Sequence, residues 1–218
     1  MIITLDGPAG AGKSTVARKV AEVLGISFLD TGATYRAYTW LAIQKGISLD
    51  NINQIAKLIL NNNLKIEHEK TFINNKEVTS EIRDQAVTQN VKFLANSPKI
   101  RGLLVKWQQE FAINKSCISE GRDQGTVVFP DADYKFYLDA DVNQRVKRRQ
   151  KDLQNKGEII ETTTLQREIT RRDKSDMNRE IGPLKRPKDA VIIDSSELSI
   201  QQVVDLIINT VKATPSDT

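Results

Sequence analysis

A three-layer α/β fold around a central parallel sheet is the architecture this 218-residue sequence predicts, and three observations predict it. Short β-branched runs alternate with stretches of helical apolar spacing along the chain. Several of those runs stop at turns rich in Asp, Gly and Thr, the strand ends where such folds collect ligands. One of these turns is a glycine-rich loop that opens directly into a helical pattern.

Ile2-Ile3-Thr4-Leu5 reads as a buried strand entering the turn Asp6-Gly7. Val16, Ala17, Val20, Ala21 and Leu24 recur at helical spacing, which predicts a helix over 14–24 with Gly25 as its stop. A second strand is expected at 26–29, ended by Asp30-Thr31-Gly32, and helices at 33–45 and 51–61. The stretch 64–78 turns to alternation, with Asn74-Asn75 as a turn, and reads as a small β-rich excursion. Helices are expected at 80–93 and 99–112. Cys117-Ile118-Ser119 is a strand leading to Gly121-Arg122-Asp123, and Lys135-Phe136-Tyr137-Leu138 is another, ending at Asp139. A very basic helix is expected at 143–154, closed by Lys156-Gly157, then a polar loop at 158–164. An arginine-rich helix at 165–179, a strand at 190–194 and a helix at 200–211 follow, before a frayed tail at 213–218.

Composition excludes several chemistries. A hydrophobic share of 39% with 28% charged residues is that of a folded globular chain, and the length suits one domain with inserted lobes. The single cysteine, Cys117, and the single histidine, His68, rule out an internal disulfide, a Cys-rich or multi-His metal site and a Ser-His-Asp triad. No run approaches the ~20 residues of a membrane span, and Met1–Leu5 is too short for a secretory leader, so a cytoplasmic location is expected. The net charge of +4 admits a nucleic acid, a membrane surface or a phosphorylated substrate. Only 6% of residues are aromatic and no stacking platform adjoins the arginines, which argues against nucleic acid.

Gly7-Pro8-Ala9-Gly10-Ala11-Gly12-Lys13-Ser14 fits the P-loop pattern at every fixed position, between a strand and an amphipathic helix as the motif requires. Its glycines let backbone N–H groups wrap a phosphate chain, and the following helix points its positive end at the same place. Lys13 adds a charge near the β and γ phosphates, and Ser14 offers a hydroxyl to Mg²⁺. Kinases, GTPases, ATPases and sulfotransferase-like binders share this cradle. A switch GTPase would carry a guanine-reading Asn-Lys-x-Asp run, and none is present.

The arginines suggest an acceptor. Arg36 and Arg122 both follow strand ends, so both are expected at the ligand edge of the sheet; surface arginines are the alternative. Arg172, Asp176 and Arg179 are spaced i, i+4, i+7 and share a helix face. Arg145, Arg148 and Arg149 lie within a turn of one another. Two basic helices flanking a polar loop read as a lid over transferring phosphates, or as a helix pair laced by i,i+4 ion pairs such as Glu168 with Arg172.

Four segments carry a family resemblance: Gly7 to Thr15; Leu29 to Arg36; Gly121-Arg122-Asp123-Gln124-Gly125-Thr126-Val127-Val128-Phe129-Pro130; and Arg171-Arg172-Asp173-Lys174-Ser175-Asp176-Met177-Asn178-Arg179. Together they resemble the bacterial cytidylate kinases, from Ile3 to about Val211. The resemblance implies a single P-loop NTPase kinase domain over 1–218. It implies a monophosphate-binding lobe near 31–100 with a β-rich insert near 64–83, and a helical lid near 145–172. It implies ATP-dependent phosphorylation of CMP and dCMP in pyrimidine nucleotide metabolism. ATP would lie on Gly7, Pro8, Ala9, Gly10, Ala11, Gly12, Lys13, Ser14, Thr15 and Arg148, with Mg²⁺ on Ser14, partly through water. CMP would lie among Thr31, Tyr35, Arg36, Arg101, Arg122, Asp123, Arg172, Asp176 and Arg179. Arg36, Arg122 and Arg179 would hold its phosphate, Arg101 and Asp123 its cytosine, and Arg172 and Asp176 its sugar. Lys13, Arg122, Asp123 and Arg179 are the expected catalytic set. One departure stands out: nine residues before Arg101, where the family usually has serine, this chain has Lys92. Another small-acceptor kinase on the same scaffold is the nearest rival, and Asp123 with Arg101 favours cytosine over it. The expected partners are small molecules alone, with no nucleic acid and no membrane, and the chain is expected to be a monomer.

Overall fold

The computed structural model describes residues 1–67, 69–155 and 157–213. The expectations for His68, for a helix stop at Lys156 and for a frayed tail at 214–218 lie outside the described residues. The chain divides into two units, Met1–Phe28 with Lys115–Thr218, and Leu29–Asn114.

The first unit is built on a five-stranded sheet. Its strands are β1 (Ile2–Asp6), β2 (Ser27–Asp30, of which the last two residues are counted with the second unit), β6 (Cys117–Gly121), β7 (Tyr134–Asp139) and β8 (Val191–Asp194), in the order β2-β6-β1-β7-β8. β1 lies at the centre and pairs in parallel with β6 (Ile2 opposite Cys117) and with β7 (Ile3 opposite Tyr134). Parallel strands must be covered on their faces, and the residues comply: Ile3, Leu5, Ile118, Phe136, Leu138 and Ile193 are buried. They form one apolar core with Val16, Ala17, Val20 and Ala21 of α1 (Lys13–Leu24) and Val203, Val204, Ile207 and Ile208 of α8 (Ile200–Ala213). Gly25 caps α1 in the left-handed region, as its place after the apolar pattern predicts. α6 (Val142–Gln154) and α7 (Thr162–Met177) pack on each other through Val146, Leu153, Leu165 and Ile169.

The second unit contains α2 (Thr31–Gln44), α3 (Ile52–Leu60), α4 (Gln85–Ala95) and α5 (Pro98–Ala112). It also holds an antiparallel sheet of β3 (Leu64–Glu67), β4 (Lys70–Ile73) and β5 (Lys76–Glu77). Asn74 and Asn75 both take positive φ at the turn between β4 and β5, a conformation asparagine tolerates. The unit runs on to Asn114 because Ile100 and Leu104 of α5 share a core with Tyr38, Ile55, Ile82 and Leu94.

Three boundaries differ from the sequence reading. The helix expected at 80–93 is a 3₁₀ turn, Glu81–Arg83, followed by α4, because Asp84 leaves the helical region (φ −57, ψ 150) and starts the new helix. The polar loop is shorter than expected, since α7 already begins at Thr162. α7 ends at Met177, so Arg179 lies beyond the helix.

Candidate active site

The loop after β1 is shaped by what its glycines allow. Gly7 has φ 149, and a Cβ there would sit 2.0 Å from the Leu138 carbonyl oxygen of β7, so only glycine fits between the two strands. Lys13 begins α1 and is 5% exposed; its ammonium donates to the Pro8 carbonyl across the loop (2.8 Å). Burial pushes the Lys13 amine down to about 7, assisted by the positive charges of Arg122 and Arg172 and opposed by Glu120 and Asp6. The P-loop lysine and two of the predicted acceptor-side arginines therefore share one electrostatic environment.

Ser14 donates to a carboxylate oxygen of Glu120, at 2.7 Å. Glu120 lies in β6 one residue before Gly121-Arg122, and it is a site residue the sequence reading missed. Its signal was faint: an acidic residue, 6% exposed, at the end of an otherwise buried strand. The Ser14 hydroxyl and this carboxylate are hard oxygen donors of the kind Mg²⁺ takes while keeping several waters. No group of three or more His, Cys, Asp or Glu able to hold a metal occurs among the described residues. A metal held by the Ser14 and Glu120 oxygens would take its remaining ligands from phosphate and water.

A second missed carboxylate, Asp173 on α7, reaches the P-loop. It accepts from the Ala9 N–H (3.0 Å) and from Arg145 of α6. Arg145 in turn donates to the Ala9 carbonyl (3.0 Å) and the Ala140 carbonyl (3.0 Å). The two helices thus grip both polar groups of one P-loop residue. Arg145, read from sequence as a lid arginine, is buried here and committed to backbone and to Asp173. Arg148 donates to Ser195 Oγ (3.0 Å) and to the Ala11 carbonyl (3.4 Å), which places it against the cradle; Arg149, in the same turn, is exposed.

Asp176 is the hub of the arginine cluster. Arg122 Nε donates to it at 2.7 Å, and Arg179 donates to its other oxygen as an i,i+3 pair. The sequence spacing placed Arg179 on the helix face of Asp176; the structure pairs the two although α7 has already ended at Met177. Burial pushes the Asp176 carboxyl up, but Arg122, Arg179 and Arg172 outweigh it and hold the group below the ordinary aspartate range. Arg122 gains the reciprocal benefit: burial disfavours its charge, and Asp176 and Glu120 restore it.

Asp123, 4% exposed, follows Arg122 and starts a single π-helical turn, Gln124–Val128. No sequence rule predicted that turn. Its backbone is fixed on both sides: Val127 and Val128 N–H donate to the Asp123 carbonyl (2.9 and 3.2 Å), while Gln124 and Gly125 N–H donate to Asp6 (2.8 Å each).

The second unit carries the remaining predicted residues. Asp30 caps α2, accepting from the Ala33 N–H at 2.9 Å, and takes Arg36 Nη2 at 2.7 Å. Burial raises the Asp30 carboxyl, yet Arg36, the Ala33 N–H and Arg83 bring it below its usual value. Arg36 Nε is buried and has no hydrogen-bond partner among the described residues, which leaves a donor for an anion. Thr31 opens the same helix, and its carbonyl accepts from the Thr34 hydroxyl (2.7 Å). Arg101, 3% exposed, stacks over the Tyr35 ring at 5.7 Å and donates to the Ala95 carbonyl at 3.3 Å. Lys92 is exposed in the last turn of α4, with its ammonium 5.4 Å from the Phe93 ring.

Residues 3–213 match the family model described as cytidylate kinase. A cytidylate kinase of Oceanobacillus iheyensis is 43% identical over 95% of this chain and 92% of its own length. One from Caldanaerobacter subterraneus is 39% identical over 96% of this chain and 94% of its own. A bifunctional pantoate ligase/cytidylate kinase of Trichormus variabilis is 44% identical over 95% of this chain, which spans 40% of that longer protein. Among solved structures, the chain is similar in fold to shikimate kinase from Bacteroides thetaiotaomicron. The two share a TM-score of 0.50 at 15% identity, over 97% of this chain and 98% of the other.

Proposed function

The chain belongs to the cytidylate kinase family, and on that premise we propose that it transfers the γ-phosphoryl group of ATP to CMP and dCMP, yielding ADP with CDP or dCDP. It is a phosphotransferase, and ATP is its co-substrate. The observation that carries the acceptor reading is the arginine pair on Asp176: Arg122 and Arg179 donate to its two oxygens, which gathers two positive charges suited to an acceptor phosphate.

The nucleophile is a phosphate oxygen of CMP, ionised near neutral pH, so no side-chain base is required. The obstacle is the approach of two polyanions. Lys13 and the P-loop N–H groups neutralise the donor. Arg36, Arg122 and Arg179 take the acceptor phosphate. Their carboxylate partners steady them for it: Asp30 holds Arg36 through Nη2 and leaves its Nε, while Asp176 fixes Arg122 through Nε. Asp123 accepts from the exocyclic amine of cytosine while Arg101 donates to its ring acceptors; uracil, with a carbonyl in place of the amine, is disfavoured. Arg172 and Asp176 hold the sugar. Ser14 and Glu120 would hold Mg²⁺ directly or through water, and the metal when bound neutralises charge on the β and γ phosphates. The helix pair α6–α7 acts as the lid that excludes water from the transfer.

The test is ADP formation with a panel of nucleoside monophosphates. Strong turnover of CMP and dCMP with weak turnover of UMP and AMP is expected. Equal or better turnover of UMP or AMP would overturn the assignment.

A further inference from the structure

We propose that Asp6 is a positioning residue for base selection: its two carboxylate oxygens hold the turn that presents Asp123 to cytosine. The inference rests on the function proposed above and adds a residue to it. Asp6 is the last residue of β1, immediately before the P-loop, and is fully buried. One of its oxygens accepts from the Gln124 N–H and the other from the Gly125 N–H, both at 2.8 Å. These are the two peptide groups that follow Asp123.

The chemistry requires a carboxylate. An aspartate is acceptor-only and can take two N–H groups on two oxygens, whereas an asparagine offers one oxygen and turns an NH₂ toward the other N–H. Gly125 is matched to the contact. A Cβ there would lie 2.9 Å from Pro187 Cγ and 3.0 Å from Thr4 Oγ1, so a side chain would push the peptide off Asp6. Gln124 adds a second anchor, its side-chain oxygen accepting from the Ser119 hydroxyl at 2.8 Å. With the Asp123 carbonyl held by Val127 and Val128, the segment that follows the base reader is closed on itself and pinned to Asp6 of β1 and Ser119 of β6. The contact has an unfavourable side. Burial pushes the Asp6 carboxyl up to about 6 and the charge of Asp123 adds to it, while the two N–H groups and Lys13 oppose the rise. The neighbouring strands also carry Cys117 and Glu120 on β6 and Tyr134, Lys135, Tyr137 and Asp139 on β7.

The experiment compares kcat/KM for CMP and UMP in the wild type, Asp6→Asn and Gly125→Ala, with a thermal melt of each. Loss of one N–H acceptor, or displacement of the turn, should lower the CMP-to-UMP ratio about tenfold through CMP, leaving UMP within about twofold. Equal losses for both nucleotides, or an unchanged ratio, would overturn the inference. If neither variant folds, the wild type decides. Its CMP-to-UMP ratio should fall as pH drops through about 6, because protonation removes an acceptor. The nucleotide phosphates cancel in that ratio, and a flat ratio would overturn the inference. A wild type that does not prefer CMP at all would instead sink the proposed function.

Discussion

Replacing Asp176 by alanine removes a carboxylate shared by Arg122 and Arg179. Its side chain is 4% exposed, and those of the two arginines are 15% and 13% exposed. Breaking a buried ion pair from one side costs about 3–5 kcal/mol, because the remaining charge is left uncompensated. The residual exposure of the arginines admits some screening, which lowers the figure to about 2–3 kcal/mol. For a chain of this size that is a fall of about 4–12 °C in thermal midpoint. The sign with pH is fixed by the depressed carboxyl. Its contribution is complete above the unfolded aspartate value of 3.8 and is lost as pH falls through the lower folded value, so the gap between wild type and variant closes in acid. Inorganic phosphate supplies the discriminating measurement. If Arg122 and Arg179 form an acceptor-phosphate site, the dianion replaces the missing carboxylate and raises the midpoint of the variant more than that of the wild type. A drop of less than about 1 °C would refute the energetic argument. Equal stabilisation of both proteins by phosphate would refute the site.

Arg179→Ala should cut kcat with CMP about a hundredfold or more while shifting the thermal midpoint by only a few degrees, since Asp176 keeps Arg122; near-normal turnover would count against its role. Lys13 offers a proton-linked readout. Its folded value of about 7 lies below the ordinary 10.5, so its charge penalises folding fully below about pH 7 and the penalty fades as pH rises toward 10.5. A triphosphate favours the charged amine. ATP binding should therefore take up about half a proton at pH 7 and more at pH ~8. Calorimetry in two buffers of different ionisation enthalpy measures this, and zero uptake at both pH values would contradict it.

Local pattern made part of this site legible. The P-loop spacing located the loop that follows β1, and the arginine spacing pointed to Asp176 and Arg179, which pair although the helix ends between Asp176 and Arg179. The other carboxylates that organise the site were not equally visible. Asp30 stands three residues before Ala33 and six before Arg36, within reach of a capping rule. Glu120 meets Ser14, Asp6 meets Gln124 and Asp173 meets Ala9 from distant parts of the chain, and no periodicity encodes such contacts. The π-helical turn after Asp123 is invisible for the same reason, since Asp6 holds its first N–H groups from another strand. Arg145 shows the converse error. It sits in a basic stretch with Lys147, Arg148 and Arg149, but its partners Ala9 and Asp173 are distant in sequence, and they determine its burial.

The place of β1 in the sheet has a consequence for how the protein is made. The strand that ends in the P-loop is central, yet both neighbours, β6 and β7, come after residues 29–114. At about 5–20 residues per second, a ribosome needs on the order of ten seconds to bring Cys117 opposite Ile2. Throughout that interval Ile2, Ile3 and Leu5 form an unpaired apolar segment, open to chaperones and to wrong partners. Residues 29–114 contain their own apolar core and can condense meanwhile. Nascent chains would then hold a condensed second unit before the parallel sheet forms, and the P-loop, though translated earliest, would be among the last parts to take shape.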